Sequence, residues 1–277
     1  MSPTAQEREI IPSLLAADPT RLAEEAARVA KVTRHLHVDV MDSRFVPSLT
    51  YGLPTVEALA AYIPQALDCH LQIHNPDQWA PHYAHAGAAN VIFHLEAARN
   101  PLTTARAIRD AGARPGIAIA PQTPLSHIMC LLAEIDILLL MTVEPGAGGQ
   151  PLHATALPRI RAARTLIDRT ELPVRLHIDG GINPTTISAC ARAGADAFIA
   201  GTAIFAHHNP AAAVRTLRTL ANNPKAWISD ATKPLTRACP VCGTPIVAFR
   251  QGAGRPAIYC SAACRASAYR ARKEWGL

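Results

Sequence analysis

Long hydrophobic runs are missing from this 277-residue sequence. The longest, Ile135 to Val143, falls well short of the roughly 20 residues a membrane-spanning helix needs. The first ten residues, MSPTAQEREI, hold no apolar stretch of the kind a secretion signal carries. A cytoplasmic protein without a membrane partner is therefore expected. Charge imbalance is absent from most of the chain: 19 Lys/Arg stand against 20 acids before Lys233, and eight against one from there to the end. The main body is thus near neutral and the tail strongly basic. Cysteine is scarce in the body, where Cys69, Cys130 and Cys190 stand singly in apolar or helical surroundings and are expected to be buried thiols. The other four of the seven crowd the tail. A glycine-rich turn after the first β-rich run is also lacking, since Ser13 to Asp18 offers none. That absence disfavours the alternative of a doubly wound, dinucleotide-binding sheet.

What is present is alternation. Nearly half the residues (49%) are hydrophobic, enough for a large core. Short β-rich runs (IIPSLLA, HLHVDVM, LDCHLQI, NVIFHL, PGIAIA, DILLLMTV, VRLHIDG and AFIAGTAIF) are separated by helical stretches such as TRLAEEAARVAK and LTTARAIRDAGA. Ala-Gly-Ala closes three helices, at Ala86–Ala88, Ala111–Ala113 and Ala193–Ala195, where glycine suits a left-handed cap. Eight such units ending near Asn222 match a (β/α)8 TIM barrel in count and length. The expected organisation is a barrel over 1–222, a linker over 223–236 with Pro224 and Pro234, and a basic four-cysteine module over 237–277.

The run HLHVDVM poses a chemical question. Residues two apart on a strand face the same way, so His37 and Asp39 point together while Val38 and Val40 fill the other side. Inside a closed barrel, both would be aimed at a buried site, and burying such groups needs a reason. His70 ends the third strand and Asp179 the seventh, at the barrel end where active sites form. A single one of these histidines is more often a hydrogen-bonded core residue. Two imidazoles and two carboxylates at strand ends together make a site for one divalent metal: Zn, Mn, Fe or Co.

IIPSLLAAD, HVDVMD-x-x-FVPS, DCHLQI, MTVEPGAGGQ, DGGIN and AGTAIF, in this order and spacing, resemble the ribulose-phosphate 3-epimerase family from about Glu9 to Ala221. The resemblance implies that His37, Asp39, His70 and Asp179 bind the metal. It further implies that Asp39 and Asp179 are the catalytic acid/base pair. Substrate contacts would come from Ser13, His70 and Asp179, with Gly146, Ala147, Gly148, Gly149, Gly180, Gly181, Gly201 and Thr202 around the phosphate. Epimerising carbon 3 of a 2-ketose removes a proton beside a carbonyl and returns one to the opposite face, so two carboxylates serve better than one. A divalent ion would stabilise the enediolate as a Lewis acid. PGAGGQ, DGG and AGT follow strands six to eight, where backbone N–H groups can cradle phosphate. No lysine or arginine clamp accompanies them.

Three departures from the family pattern stand out: Gln72 where Met is usual, Ser43 where Gly is usual and Ala147 where Phe is usual. None removes a ligand or acid, so activity is expected to survive, while Gln72 and Ala147 bear on which ketose phosphate is used. Met41 and Met141 match methionines lining the family's site and fit equally well as core gap fillers. His177 shares the inward face with Asp179, either as its partner or as a packed core histidine. The expected reaction interconverts D-ribulose 5-phosphate and D-xylulose 5-phosphate. Its alternatives are another ketose phosphate such as allulose 6-phosphate, or a phosphosugar-binding barrel without turnover that carries a regulatory, nucleic-acid-binding tail. A homo-oligomer is expected.

In the tail, Cys239 and Cys242 form C-x2-C, and after seventeen residues Cys260 and Cys264 form C-x3-C. Such spacing suits a tetrahedral structural zinc, which would stabilise a stretch too short for a hydrophobic core. The tail resembles small zinc-ribbon or FCS-like fingers. Arg250, Arg255, Arg265, Arg270, Arg272 and Lys273, with Tyr259, Tyr269 and Trp275, fit nucleic-acid phosphate and base contacts. They also fit a solvated face or a protein-docking module.

Overall fold

The computed structural model describes residues 7–223 and the backbone of 236–238 and 245–247. The chain divides into two compact units, Met1–Lys225 and Ala226–Leu277. In the first, eight parallel strands run β1 (Glu9–Pro12), β2 (His35–Met41), β3 (Ala66–Gln72), β4 (Ala88–His94), β5 (Arg114–Ile119), β6 (Ile137–Met141), β7 (Arg175–Asp179) and β8 (Ala197–Ala200). Their order is β1-β8-β7-β6-β5-β4-β3-β2, and a parallel bridge from Ser13 to His37 joins the two ends. The sheet is a nearly closed (β/α)8 barrel. Between the strands lie α1 (Leu22–Val29), α2 (Leu53–Tyr62), α3 (Pro76–His85), α4 (Pro101–Asp110), α5 (Ala156–Thr170) and α6 (Ile187–Ala193), and after β8 come the short α7 (Thr202–Phe205) and α8 (Pro210–Asn222).

Local chemistry accounts for the element boundaries. Proline occupies the first turn of α2, α3, α4 and α8, where its missing N–H costs nothing. Gly87, Gly112 and Gly194 take positive φ (97°, 93° and 112°) just beyond helix ends, as the Ala-Gly-Ala segments led us to expect. Two expected runs shorten the most. IIPSLLA becomes strand only to Pro12, because Ser13 Oγ accepts the Leu15 N–H and starts a 3-10 turn over Leu14–Ala16. AFIAGTAIF bends at Gly201 into α7. The β5–β6 connection is a 3-10 segment, Leu125–Glu134, that buries Ile128, Leu131 and Leu132. This leaves Cys130 exposed, against the expectation of a buried thiol; Cys69 and Cys190 are buried.

The interior is two-sided. Ile11, Ile92, Ala118, Ile137, Leu139, Met141, Val143, Ala197 and Ile199 form one apolar cluster. On β2 and β3, by contrast, inward positions are polar, with His37 in register with Asp68 and Asp39 with His70. Met141 belongs to the core, while Met41 is buried opposite Gln72. In the second unit, Thr236–Ala238 pairs antiparallel with Pro245–Val247. Residues 224–235 of the expected linker over 223–236, and Cys239, Cys242, Cys260 and Cys264, lie outside the described residues.

Candidate functional site

Strands β2, β3 and β7 deliver His37, Asp39, His70 and Asp179 to one place. One ligand atom from each lies within 4.8 Å of all the others. His37 Nε2 stands 3.4 Å from His70 Nδ1, 3.4 Å from Asp39 Oδ1 and 3.7 Å from Asp179 Oδ2. His70 Nδ1 is 3.2 Å from Asp39 Oδ1 and 3.6 Å from Asp179 Oδ2. With metal–ligand bonds near 2.0–2.2 Å, tetrahedral ligands sit about 3.3–3.6 Å apart. The observed separations and the mixed imidazole–carboxylate donors therefore fit one divalent cation. Only Asp179 of the four retains partial exposure, 15% of its side chain, so the site opens on its side.

Electrostatics keep these groups in matched states. Burial alone would drive the imidazoles toward neutrality and the acids toward protonation. Attraction outweighs it: Asp39 and Asp68 hold His37 well above the ordinary histidine value, and Asp179 and Asp39 raise His70. Asp39, buried as it is, falls well below the carboxylate range because His37 and His70 face it.

Hydrogen bonds aim Asp39 and His37. Ser13 Oγ donates to Asp39 Oδ2 at 2.8 Å and Gln72 Nε2 to Asp39 Oδ1 at 2.9 Å. Asp68 Oδ2 lies 3.0 Å from His37 Nδ1, which leaves Nε2 facing the cluster. Asp68, His94 and Glu96 were not anticipated from sequence. The D-x-H spacing of Asp68 and His70, mirroring H-x-D at His37 and Asp39, was the available signal. His177 does not join the site. It is buried at the opposite end beside Asn90 and Arg175, neither ring nitrogen has a partner, and burial pulls its pKa down to about 4.

Three glycine-bearing loops border the same barrel end. Gly146, Gly149, Gly180 and Gly181 have φ between +66° and +109°. A Cβ at Gly180 would come within 2.3 Å of Val143 Cγ2, so that backbone approach requires glycine. One at Gly149 would stand 3.9 Å from Thr202 Oγ1, and one at Gly201 3.7 Å from Ser13 Cβ. The loops after β6 and β8 are thus neighbours beside Ser13. Ala147, Gly148, Gly149 and Thr202 are exposed. Ser43 takes φ +57°, the left-handed conformation that explains why glycine is the usual residue there.

Comparison with known proteins agrees with this geometry. Residues 9–205 match the model of the ribulose-phosphate 3 epimerase family. A ribulose-phosphate 3-epimerase of Mycobacterium tuberculosis is 53% identical over 220 residues, 79% of this chain and 96% of that protein. One from Serratia marcescens is 41% identical over 198 residues, 71% of this chain and 94% of that protein. Among solved structures, KGPDC from Streptococcus mutans superposes with a TM-score of 0.61 at 17% identity, covering 79% of this chain and all of that one, a likeness of fold alone. The chain belongs to the ribulose-phosphate 3-epimerase family.

Proposed function

We propose that the protein epimerises D-ribulose 5-phosphate and D-xylulose 5-phosphate at carbon 3, with Asp39 and Asp179 as the proton-transfer pair. The observation that carries this is the convergence of two carboxylates and two imidazoles within 4.8 Å at the open end of the barrel. His37, Asp39, His70 and Asp179 would hold a divalent metal. When bound, such an ion supplies Lewis-acid stabilisation of the enediolate charge. One aspartate, ionised, takes the carbon-3 proton; the other, starting protonated, gives its proton to the opposite face. Ser13, donating to Asp39 Oδ2, holds that carboxylate in line. Backbone N–H groups of Gly146–Gly149, Gly180–Gly181 and Gly201–Thr202 would bind the phosphate through amide dipoles. Incubation with ribulose 5-phosphate in deuterated water should place deuterium at carbon 3; a protein that binds the sugar without exchange would overturn the reading.

A second ketose phosphate, such as allulose 6-phosphate, is favoured by Gln72, which donates to Asp39 Oδ1, and by the small, exposed Ala147 beside the phosphate loops. A substrate panel on metal-defined protein separates the two by kcat/KM.

For the second unit we propose a structural zinc held by Cys239, Cys242, Cys260 and Cys264, following a linker over 223–236. The antiparallel pairing of Thr236–Ala238 with Pro245–Val247 flanks Cys239 and Cys242 in sequence and supports a zinc-ribbon reading. Its basic residues would meet a nucleic-acid backbone or a protein. Removing 233–277 should leave epimerisation near its full rate, and salt-sensitive duplex binding lost on truncation would favour nucleic acid. A cytoplasmic homo-oligomer completes the proposal; sedimentation tests its subunit count. Among the described residues no helix is long and apolar enough to cross a membrane.

A further inference from the structure

A second polar chain leads away from His70 on the side opposite the cluster. His70 Nε2 lies 3.0 Å from Nε2 of His94, the last residue of β4. His94 Nδ1 lies 3.2 Å from Glu96 Oε2. The other oxygen of Glu96 accepts the Ala120 N–H at 2.8 Å and the Thr123 hydroxyl. The two imidazoles are fully buried and stacked, with centroids 5.0 Å apart and planes 24° off parallel. Phe45 packs against His94 with centroids 4.8 Å apart. Neither histidine ring can turn without losing these contacts.

We infer that His94, anchored by Glu96, is a positioning residue that locks His70 in the tautomer needed to bind a cation through Nδ1. The inference rests on the metal reading proposed above. A neutral imidazole whose Nδ1 lone pair faces an ion carries its one proton on Nε2. That proton points at His94 Nε2, which must then be the acceptor and leave the His94 proton on Nδ1. Glu96, an ionised acid, accepts there; it cannot donate. Every polar atom in the chain from Ala120 to His70 has one consistent role. A partner of this kind orients the ligand and raises its basicity, and losing such partners typically weakens metal binding about 10–100-fold.

The test is affinity for Mn²⁺, followed by electron paramagnetic resonance on the full chain, since a hard cation discriminates against the cysteine cluster. His94→Phe keeps the stacked ring and deletes the acceptor; it should weaken Mn²⁺ binding about tenfold or more. His94→Gln restores an oxygen acceptor and should recover most of the loss. Unchanged affinity in His94→Phe, or no recovery in His94→Gln, overturns the inference while leaving the metal site standing. Wild-type protein whose barrel binds none of Mn²⁺, Fe²⁺, Co²⁺ and Zn²⁺ removes the metal site and this inference together. Should His94→Phe fail to fold, nitrogen-15 NMR of zinc-loaded wild type decides independently: the proton must sit on Nε2 of His70 and Nδ1 of His94, and either opposite tautomer refutes the lock.

Discussion

Asp68 Oδ2 and His37 Nδ1 are 3.0 Å apart, both on fully buried side chains. The carboxylate is the partner that turns His37 Nε2 toward Asp39 and Asp179. Asp68→Asn keeps an acceptor oxygen and removes the charge. It should leave the fold intact and weaken divalent-metal binding about 10–100-fold, read by chelator competition.

Asp179 is the partially exposed member of the proposed proton-transfer pair. Asp179→Asn cannot take up or release the carbon-3 proton. Turnover should fall by at least the ~10²–10⁴ that general acid–base catalysis contributes, with unchanged circular dichroism. Retention of full activity would remove Asp179 from the mechanism.

Gln72 donates to Asp39 Oδ1, while its own Oε1 is buried without a partner. In Gln72→Met the charge-assisted bond, worth about 1.5–3 kcal/mol, and the orphaned oxygen, costing about 1–3 kcal/mol, disappear together. Stability should therefore change little. Asp39 loses a donor to its ionised form, so its pKa moves upward from a position well below the carboxylate range. A thermal midpoint that shifts by more than a few degrees in Gln72→Met would show that the lost bond and the removed orphan do not offset each other.

Gly180 sits at φ +109° with Val143 Cγ2 2.3 Å from any added Cβ. Gly180→Ala adds a dihedral cost of about 1–3 kcal/mol and a clash that must displace Val143. A lowered thermal midpoint and a raised KM for the phosphorylated substrate are expected. Val143→Ala in the same chain should restore part of the midpoint.

His177 is held neutral by burial, its pKa lowered from 6.5 to about 4, with Arg175 acting in the same direction. An unfolded chain takes up this proton near pH 6.5, and the folded one does so only near pH 4. Between those values the unfolded state binds more protons, so stability falls as pH drops through that window. The gap corresponds to about 3 kcal/mol once pH is below 4. Urea titrations of wild type and His177→Leu at pH 7 and 4.5 should show the smaller acid loss in the variant.

Much of the fold is visible in particular residues. The Ala-Gly-Ala helix ends at Gly87, Gly112 and Gly194 demand the left-handed geometry they adopt, because only glycine takes it without a Cβ penalty. The two-residue spacing of His37 and Asp39 aims both inward for a purely local reason, the pleat of a strand. Exposure of Cys130 was not legible, since it depends on which side of Leu125–Glu134 meets the barrel wall.

By itself, then, the amino-acid order specified the alternation of strands and helices, the inward direction of the polar side chains on β2 and β3, and the glycines that permit tight loops. Local sterics and periodicity act within a few residues, so they can be read from the chain. Only the tertiary structure decided that strand register sets Asp68 behind His37, and that the pairing of β3 with β4 stacks His94 on His70. It also decided that the unpartnered His177 lies at the far end. These are relations between segments distant in the chain, governed by packing and hydrogen-bond geometry that no local pattern encodes.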